Sequence, residues 1–238
     1  MSFPFSEIFD LDIIDFMINM IKKLLSYIYI EKCYFCNSKR ERVPFCSKCF
    51  NSAELSAPVQ KAVVGGKPVF SAGEYSGTIK KLIKAVKFHN KKNLAAYQAR
   101  LMYKYWSDIK RKKDFYTVLP IPTYSLRQRH RRFNHINLVA REFSRLAGYD
   151  YNETALKRTR YTEPLYKMTK RERAKILKDC FAFEGEISTP VLIIDDIFTT
   201  GATLNEAVKC LEKHGITDIT CFTTAAVKMN YPLTAPSL

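Results

Sequence analysis

The residues of this sequence best suited to chemistry lie in one stretch near the C-terminus of its 238 residues, Val191 to Thr203. Four apolar residues, Val191 to Ile194, lead into the adjacent carboxylates Asp195 and Asp196. A turn rich in hydroxyl groups follows, made of Thr199, Thr200, Gly201, Ala202 and Thr203. Backbone N–H groups at the start of a helix bind anions, and a glycine lets the chain approach a ligand closely. The turn is therefore suited to a phosphate.

The acid pair needs a different partner, because two carboxylates beside a phosphate would repel it. Their natural partners are hydroxyl groups or a cation bound to hydroxyl groups. A ligand with a phosphate at one end and a vicinal diol at the other satisfies both halves of the stretch, and ribose 5-phosphate is such a ligand. The alternative is that Asp195 and Asp196 only cap the following helix and that the threonines are turn residues.

Four of the seven cysteines form two Cys-x2-Cys pairs with nine residues between them: Cys33, Cys36, Cys46 and Cys49. Four thiolates at this spacing can close a tetrahedron around Zn²⁺ with no open position, which is typical of a structural site. A redox pair, free thiols and an iron–sulfur centre are the alternatives. The other three cysteines, Cys180, Cys210 and Cys221, are scattered and are predicted to be small buried residues. This usage favours a reducing, cytoplasmic compartment.

The charge of the chain is strongly positive: 39 Lys and Arg against 23 Asp and Glu give a formal charge of +16. Such an excess attracts polyanions, which include nucleic acids, anionic membranes and phosphorylated small molecules. A solvated basic surface is the alternative. Because 47% of the residues are hydrophobic, a packed core is expected and wholesale disorder is not.

Residues 1–30 are apolar with early acidic residues, and Lys22 and Lys23 interrupt the run. We therefore expect neither a signal peptide nor a transmembrane segment. The helical spacing of the apolar residues predicts an amphipathic helix. It would pack on its own domain or on a partner, or lie on a membrane surface, so a peripheral position at the inner membrane face is the alternative to a purely cytoplasmic one.

The remaining pattern alternates strands and helices from residue 68 onward and predicts an α/β fold with a mostly parallel sheet flanked by helices. Residues 51–67, with Pro58 and the Gly65-Gly66 pair, are interpreted as a linker. The predicted strands are Pro68 to Tyr75, Phe115 to Leu119, Val191 to Ile194 and Ile219 to Val227. The predicted helices are Thr78 to Phe88, Leu94 to Trp106, Ile136 to Leu146 and Thr203 to His214, with Gly148 and Gly215 as C-terminal caps.

The Val191 to Thr203 stretch resembles the PRPP-binding motif of type I phosphoribosyltransferases (PRPP is phosphoribosyl pyrophosphate): apolar residues, two acids, two variable positions, then Thr-Thr-Gly. The resemblance implies that Asp195 and Asp196 hold the ribose hydroxyls and that Thr199 to Thr203 surround the 5′-phosphate. It also implies that Mg²⁺ bridges the ribose hydroxyls and the pyrophosphate.

A four-cysteine module before such a domain resembles the layout of the ComF (ComFC) family of competence-associated proteins. Further matches are Tyr75-Ser-Gly77 and Leu119-Pro-Ile-Pro122, and the basic stretch that ends in Phe133-Asn134. The resemblance covers roughly residues 30–227 and implies a zinc module over 31–52 and a phosphoribosyltransferase-like domain over 68–230. With the amphipathic helix expected over 1–30, the chain has three predicted regions. The sequence departs from the family at four positions, where Gly, Gln, Gln and Asn are expected: Arg132, His135, Leu165 and Ile176.

A basic stretch between a predicted strand and a predicted helix contains Arg127, Arg129, Arg131 and Arg132. Arginine forks match phosphate oxygens, so these residues, with Lys87, are candidates for binding pyrophosphate or a nucleic-acid backbone. A solvated loop is the alternative, and for Lys87 a plain surface position. The histidines have no metal-ligand spacing, and we expect them to contribute little to function.

Two functions follow. The first is a ComF-like protein that supports DNA uptake in natural transformation, with PRPP and Mg²⁺, single-stranded DNA and proteins of the uptake machinery as ligands and partners. The second is an active phosphoribosyltransferase that displaces pyrophosphate from PRPP. The sequence contains no obvious base-recognition element, and fold alone does not decide between the two.

Overall fold

The structure, a computed structural model, describes residues 31–55, 60–109, 114–122, 134–160 and 175–227, together with Met17 and Met20. The helix expected over 1–30 lies outside the described residues, except for Met17 and Met20, which are helical and exposed. Within the described ranges, no helix has the length and apolar character needed to cross a membrane. Two compact units make up the chain, residues 1–47 and residues 48–238.

The first unit contains Cys33, Cys36 and Cys46 and the turns that carry them. The N–H of Cys33 donates to the carbonyl of Ser38 at 2.9 Å, which closes a tight turn around the first pair. The N–H of Tyr34 donates to the carbonyl of Pro44 at 2.9 Å, which ties this turn to the segment before the second pair. The rings of Phe35 and Phe45 pack with centroids 4.4 Å apart. These contacts hold the turn of Cys33 and Cys36 beside the segment that leads to Cys46.

The second unit is built on a six-stranded sheet. In chain order the strands of the unit are β1 (Gln60–Val64), β2 (Lys67–Ser71), β3 (Thr117–Pro120), β4 (Asp150–Tyr151), β5 (Leu156–Arg158), β6 (Phe181–Phe183), β7 (Val191–Phe198) and β8 (Ile219–Ala226). The main sheet has the order β1-β2-β8-β7-β3-β4. Only the β1–β2 pair in it is antiparallel. Strands β5 and β6 form a separate antiparallel pair.

Five α-helices lie wholly within the described residues: α1 (Ser47–Leu55), α2 (Gly77–Phe88), α3 (Ala95–Ser107), α4 (His135–Ala147) and α5 (Ala202–Glu212). Neighbouring residues of β8 show that both faces of the sheet are covered. Cys221 belongs to the core that contains Leu204 and Val208 of α5. The ring of Phe222 instead packs at 5.0 Å from that of Trp106 in α3. Because successive side chains of a strand point to opposite faces, α5 covers one face and α3 the other. The predicted α/β class with a mostly parallel sheet flanked by helices is confirmed.

The predicted linker over 51–67 is wrong, because α1 ends at Leu55 and β1 occupies Gln60–Val64. The Gly65-Gly66 pair does not break the structure but joins β1 to β2. Both glycines have positive φ, +56° and +75°, as a two-residue hairpin turn requires. In the sequence, the Gly65-Gly66 pair was therefore a signal for a β-hairpin and not for a linker.

Several other predicted boundaries differ from the structure, and two of them bear on the candidate site. Strand β7 continues to Phe198 instead of ending at Ile194, so the acid pair lies inside the strand. Helix α5 ends at Glu212 with Lys213 as its C-cap, two residues before Gly215. The end of α4 is as predicted, since Gly148 caps it with φ +70°.

Candidate functional site

The candidate site lies at the edge of the sheet where the parallel strands end. Ile194 of β7 pairs with Pro120 of β3 on one side and with Phe222 of β8 on the other. One residue further along, Asp195 pairs with Thr223. In open α/β sheets, ligands bind outside the carboxyl ends of the strands. The acid pair and the turn after it are therefore at the edge where a ligand is expected.

A small pocket that is open to solvent brings Asp195 together with the turn. Its lining residues are Asp195, Ile197, Phe198, Thr199, Gly201, Ala202, Thr203 and Leu204. Thus five of the seven residues proposed for the phosphoribosyl ligand line one pocket. Thr200 lies in the same turn, with its Oγ1 at 3.5 Å from the Ala202 N–H. Asp196 is the second of the seven residues that does not line the pocket.

Gly201 shapes the bottom of this turn. It is the N-cap of α5 with φ +75°, a conformation that side chains rarely adopt. A Cβ at this position would lie 2.9 Å from Cγ2 of Val64 and 3.0 Å from Cε2 of Phe198. The absence of a side chain therefore lets the turn pack closely on β1 and β7.

Helix α5 begins at the pocket without a side-chain cap. The first N–H groups of a helix have no intrahelical partner, and the helix dipole gives this end a partial positive charge. The alternative interpretation, in which Asp195 or Asp196 caps the helix, is excluded by this geometry. The uncapped N–H groups and the hydroxyls of the turn together form the kind of surface that binds a phosphate.

Asp195 is half-buried, and its Oδ1 accepts a hydrogen bond of 2.8 Å from the N–H of Asp196. Burial raises the pKa of Asp195 to about 8, and the negative charge of Asp196 acts in the same direction. The carboxyl group that lines the pocket is therefore one whose ionised form gains from a hydroxyl or a cation brought by a ligand.

Asp196 has a different environment, although it is the next residue. Its carboxylate is buried and accepts from Nζ of Lys87, in the last turn of α2, and from Nε2 of His135, the first residue of α4, at 3.0 Å. Burial alone would raise the pKa of Asp196, but the charge of Lys87 and the hydrogen bond from His135 hold it well below its usual range. Asp196 therefore stays ionised and ties β7 to α2 and α4.

Tyr75, in the loop between β2 and α2, lies close to this ion pair. Burial raises the pKa of its phenol, the charge of Lys87 opposes the rise and the charge of Asp196 adds to it. Its N–H donates to the carbonyl of Ala226 at 2.7 Å, which brings the loop to the end of β8. The predicted family match Tyr75-Ser-Gly77 is thus located at the same edge as the acid pair.

The structure departs from two sequence-based expectations at this point. Lys87 is not a plain surface lysine, and His135, of which little was expected, is buried against Asp196. The expectation for His135 was wrong because it considered only metal-ligand spacing. A usable signal was its position directly after Asn134, which caps α4 by accepting from the N–H of Ile136. The predicted contacts of Arg127, Arg129, Arg131 and Arg132 lie outside the described residues.

The four cysteines of the two predicted pairs come together. Their Sγ atoms all lie within 4.8 Å of one another, and those of Cys36 and Cys46 are 3.5 Å apart. With Zn–S bonds of about 2.3 Å, a tetrahedral site has sulfurs roughly 3.8 Å apart, so the cluster could hold zinc. Burial would raise the pKa of Cys33, but backbone N–H groups, first that of Cys46, lower it to about 7. The other three cysteines are buried, as predicted.

These features define a class: an α/β protein with a mostly parallel sheet, an acid pair and a hydroxyl-rich turn at its edge, and a four-cysteine cluster near the N-terminus. No model of a protein family matches the chain. Individual proteins are nevertheless similar to it in sequence. Competence protein F of Haemophilus influenzae is 27% identical over 198 residues, which cover 79% of this chain and 86% of that protein.

Two further proteins are similar to this chain over comparable lengths. DNA utilization protein YhgH of Salmonella typhimurium is 26% identical and covers 74% of this chain and 81% of its own length. Competence protein ComFC of Streptococcus pneumoniae is 26% identical and covers 80% of this chain and 85% of its own length. The resemblance to the ComF family is therefore confirmed.

Solved structures give a weaker comparison. Adenine phosphoribosyltransferase of Trypanosoma brucei, in complex with AMP, pyrophosphate and ribose 5-phosphate, covers 71% of this chain and 90% of its own, with a TM-score of 0.38 and 10% identity. The enzyme of Leishmania donovani covers 76% of this chain and 94% of its own, with a TM-score of 0.36 and 10% identity. At these scores the likeness supports no inference about activity.

Proposed function

We propose that this chain binds the ribose 5-phosphate portion of PRPP at the pocket of Asp195 and the Thr199–Thr203 turn, and that it supports DNA uptake. The observation that carries the ligand assignment is the shared pocket. One partly exposed carboxylate and one uncapped, hydroxyl-rich helix start line the same space. Ribose 5-phosphate has a diol and a phosphate at the matching ends.

The parts of the ligand are assigned as follows. The phosphate contacts the N–H groups of α5 and the hydroxyls of Thr199, Thr200 and Thr203. Asp195 accepts hydrogen bonds from the ribose hydroxyls. Asp196, which does not line the pocket, contributes its negative charge from the far side of β7. Oxygen ligands suit Mg²⁺, and Asp195 is the pocket oxygen donor that would face a cation bound to the ribose hydroxyls and the pyrophosphate. The ion, when bound, neutralises charge on the pyrophosphate.

The DNA role is supported by the relatives and by charge. Proteins named for competence and for DNA utilization align with most of this chain. A formal charge of +16 favours a polyanionic partner. We therefore propose single-stranded DNA as the second ligand, with proteins of the uptake machinery as partners on the cytoplasmic side of the inner membrane.

The four-cysteine cluster is proposed to hold one structural Zn²⁺. Four sulfur ligands would close the coordination sphere, so the ion would stabilise the fold of its module and carry no chemistry. The hydrogen bonds from backbone N–H groups that lower the pKa of Cys33 favour the thiolate form that zinc requires.

The ligand assignment is tested by calorimetric titration of PRPP with Mg²⁺ into the chain and into an Asp195→Asn, Asp196→Asn double variant. We expect one site per chain and loss of binding in the double variant. A Thr203→Val variant removes a hydroxyl from the phosphate end and should weaken PRPP and ribose 5-phosphate equally. Unchanged binding in the double variant would contradict the assignment.

Phosphoribosyl transfer is the second candidate. A carboxyl group in a pocket with a pKa raised to about 8 is the kind of perturbed group that active sites often contain. Release of pyrophosphate from PRPP in the presence of a defined base or amine would show the activity. Binding of PRPP with no release across a panel of acceptors would favour the binding role.

A further inference from the structure

One part of the chain is basic without any compensating acid. Between Glu74 and Asp108 there is no Asp or Glu, and the segment has eight Lys and Arg residues: Lys80, Lys81, Lys84, Lys87, Lys91, Lys92, Arg100 and Lys104. This segment contains α2 and α3. The charge is therefore concentrated on particular elements and is not a uniform property of the surface.

The outer face of α2 collects much of this charge. The helix buries Ile79, Leu82, Ile83 and Val86. Lys80, Lys81 and Lys84 are exposed on its other side. Residues at a spacing of four lie on one face of a helix, so Lys80, Lys84 and Phe88 form one line. We call Lys80, Lys81, Lys84 and Phe88 the lysine face.

The lysine face is not neutralised by its surroundings. Among the described residues, no carboxylate forms an ion pair with Lys80, Lys81 or Lys84. A solvated helix face commonly alternates acids and bases at spacings of three and four, and like charges at these spacings destabilise the helix. A helix that retains such repulsion is suited to an external polyanion.

Aromatic rings lie among these lysines. Phe88 is 57% exposed, although phenylalanine is among the residues most often buried in proteins. Nζ of Lys80 is 5.6 Å from the ring centre of Tyr75, and Nζ of Lys87 is 5.8 Å from that of Phe88. Lysines that follow a phosphate backbone, with exposed rings on which bases stack, are typical of proteins that bind single-stranded nucleic acid. A duplex keeps its bases stacked on each other and gains little from such rings.

We propose that the lysine face of α2 is the track for single-stranded DNA and that it leads to the phosphoribosyl pocket. The link is Lys87, which lies beside Phe88 and ion-pairs with Asp196, next to the pocket residue Asp195. The phosphates contact Lys80, Lys81 and Lys84, and a base stacks on Phe88. The proposal rests on the proposed role in DNA handling, but not on PRPP being the ligand of the pocket.

The test uses the full chain and a fluorescent oligo(dT), with binding followed by anisotropy over a series of salt concentrations. A Lys80→Gln, Lys84→Gln variant should bind at least about tenfold more weakly at low salt. The slope of log affinity against log salt should fall by about 1.4, because each phosphate contact on a single strand contributes about 0.7. The matched control is Lys175→Gln, Lys178→Gln, which removes two exposed lysines elsewhere and should leave both quantities unchanged.

The stacking part has its own pair of variants. Phe88→Ala should weaken oligo(dT) binding by at least about fivefold without changing the salt slope. Phe115→Ala removes another exposed phenylalanine, 42% exposed, and should have no effect. Equal effects of the two variants would overturn the assignment of Phe88.

The outcomes separate this proposal from the proposed function. If the native chain binds no oligo(dT), the role in DNA handling fails and the proposal fails with it. If the native chain binds and the Lys80→Gln, Lys84→Gln variant binds equally well, only the lysine face is wrong. Tighter binding to a duplex of the same length, or to vesicles with anionic lipids, would overturn single-stranded DNA as the occupant.

Discussion

Lys87 and Asp196 form an ion pair between the last turn of α2 and the second half of β7, although 109 residues separate them in the sequence. The pair gives two neighbouring acids different roles. Asp196 is held ionised and buried by Lys87 and His135, whereas Asp195 lines the pocket with a raised pKa. A site that needs one fixed charge and one carboxyl group that responds to a ligand can be built in this way.

Removal of the Lys87 charge should destabilise the fold. In Lys87→Met, Asp196 keeps His135 but loses its cation, and an uncompensated buried carboxylate is costly. Because Lys87 is 24% exposed, we expect a loss below the usual range for a fully buried pair, about 2 kcal/mol, in urea unfolding at pH 7. Lys84→Met, an exposed lysine on the same helix, should change the free energy of unfolding by less than about 0.5 kcal/mol.

The same pair predicts a pH dependence. The pKa of Asp196 is lower in the folded state than the unfolded value of about 4, so its contribution is present above that pH and is lost as the pH falls. The difference in stability between the native chain and Lys87→Met should therefore be smaller at about pH 3 than at pH 7, and the loss should occur below about pH 4. A difference that stays constant over this range would contradict the ion pair as its source.

Ligand binding should release a proton near neutral pH. With its pKa raised to about 8, Asp195 is mostly protonated at pH 7, and ribose hydroxyls that carry a cation favour its ionised form. The affinity for PRPP with Mg²⁺ should rise by up to about tenfold per pH unit between about pH 6 and pH 8 and then level off. Calorimetry in two buffers of different ionisation enthalpy measures the proton. Affinity that falls as the pH rises would be the contrary result.

The close approach at Gly201 can be separated from its backbone conformation. Gly201→Ala adds a methyl group 2.9 Å from Val64 and imposes φ +75° on an alanine. Gly66→Ala imposes the same φ but meets no atom within 4 Å. We expect a loss of about 1 kcal/mol for Gly66→Ala and about 2–4 kcal/mol for Gly201→Ala, and only Gly201→Ala should weaken ribose 5-phosphate binding. Equal losses in thermal unfolding would mean that packing at Gly201 is unimportant.

The cysteine cluster predicts one zinc per chain. Cys33→Ser should lose most of the metal and lower the thermal midpoint, because the metal stabilises the folded form only. Cys210→Ser changes a cysteine outside the cluster and should keep a full equivalent of zinc. The metal is quantified by elemental analysis after dialysis. Full zinc in Cys33→Ser, or iron in its place, would contradict a closed zinc site.

Much of the architecture could be predicted because its signals are local. The apolar run Val191 to Ile194 is suited to a strand buried on both faces, and the spacing of the four cysteines allows a single tetrahedral cluster. Hairpin chemistry was missed at Gly65-Gly66, because a pair of glycines was taken as a break. The short strands β4, β5 and β6 carry too few residues for a periodic pattern and were not predicted.

The least predictable part of the site depends on contacts between distant elements. Asp195 and Asp196 are equivalent in the sequence, and only Lys87 and His135, brought in by α2 and α4, make them different. The partners of a buried charge are set by tertiary packing, and no periodicity identifies them. The arginines predicted to contact phosphate, Arg127 among them, remain predictions.

Titration of PRPP with Mg²⁺ into the native chain and into Asp195→Asn is the sharpest test of the pocket as the site for ribose 5-phosphate. The Asn side chain keeps the shape of the pocket but cannot provide a negative charge. We predict one site per chain, a loss of at least about tenfold in affinity for the variant, and an unchanged cooperative unfolding curve. No binding to the native chain, or equal binding to both proteins, would contradict this assignment.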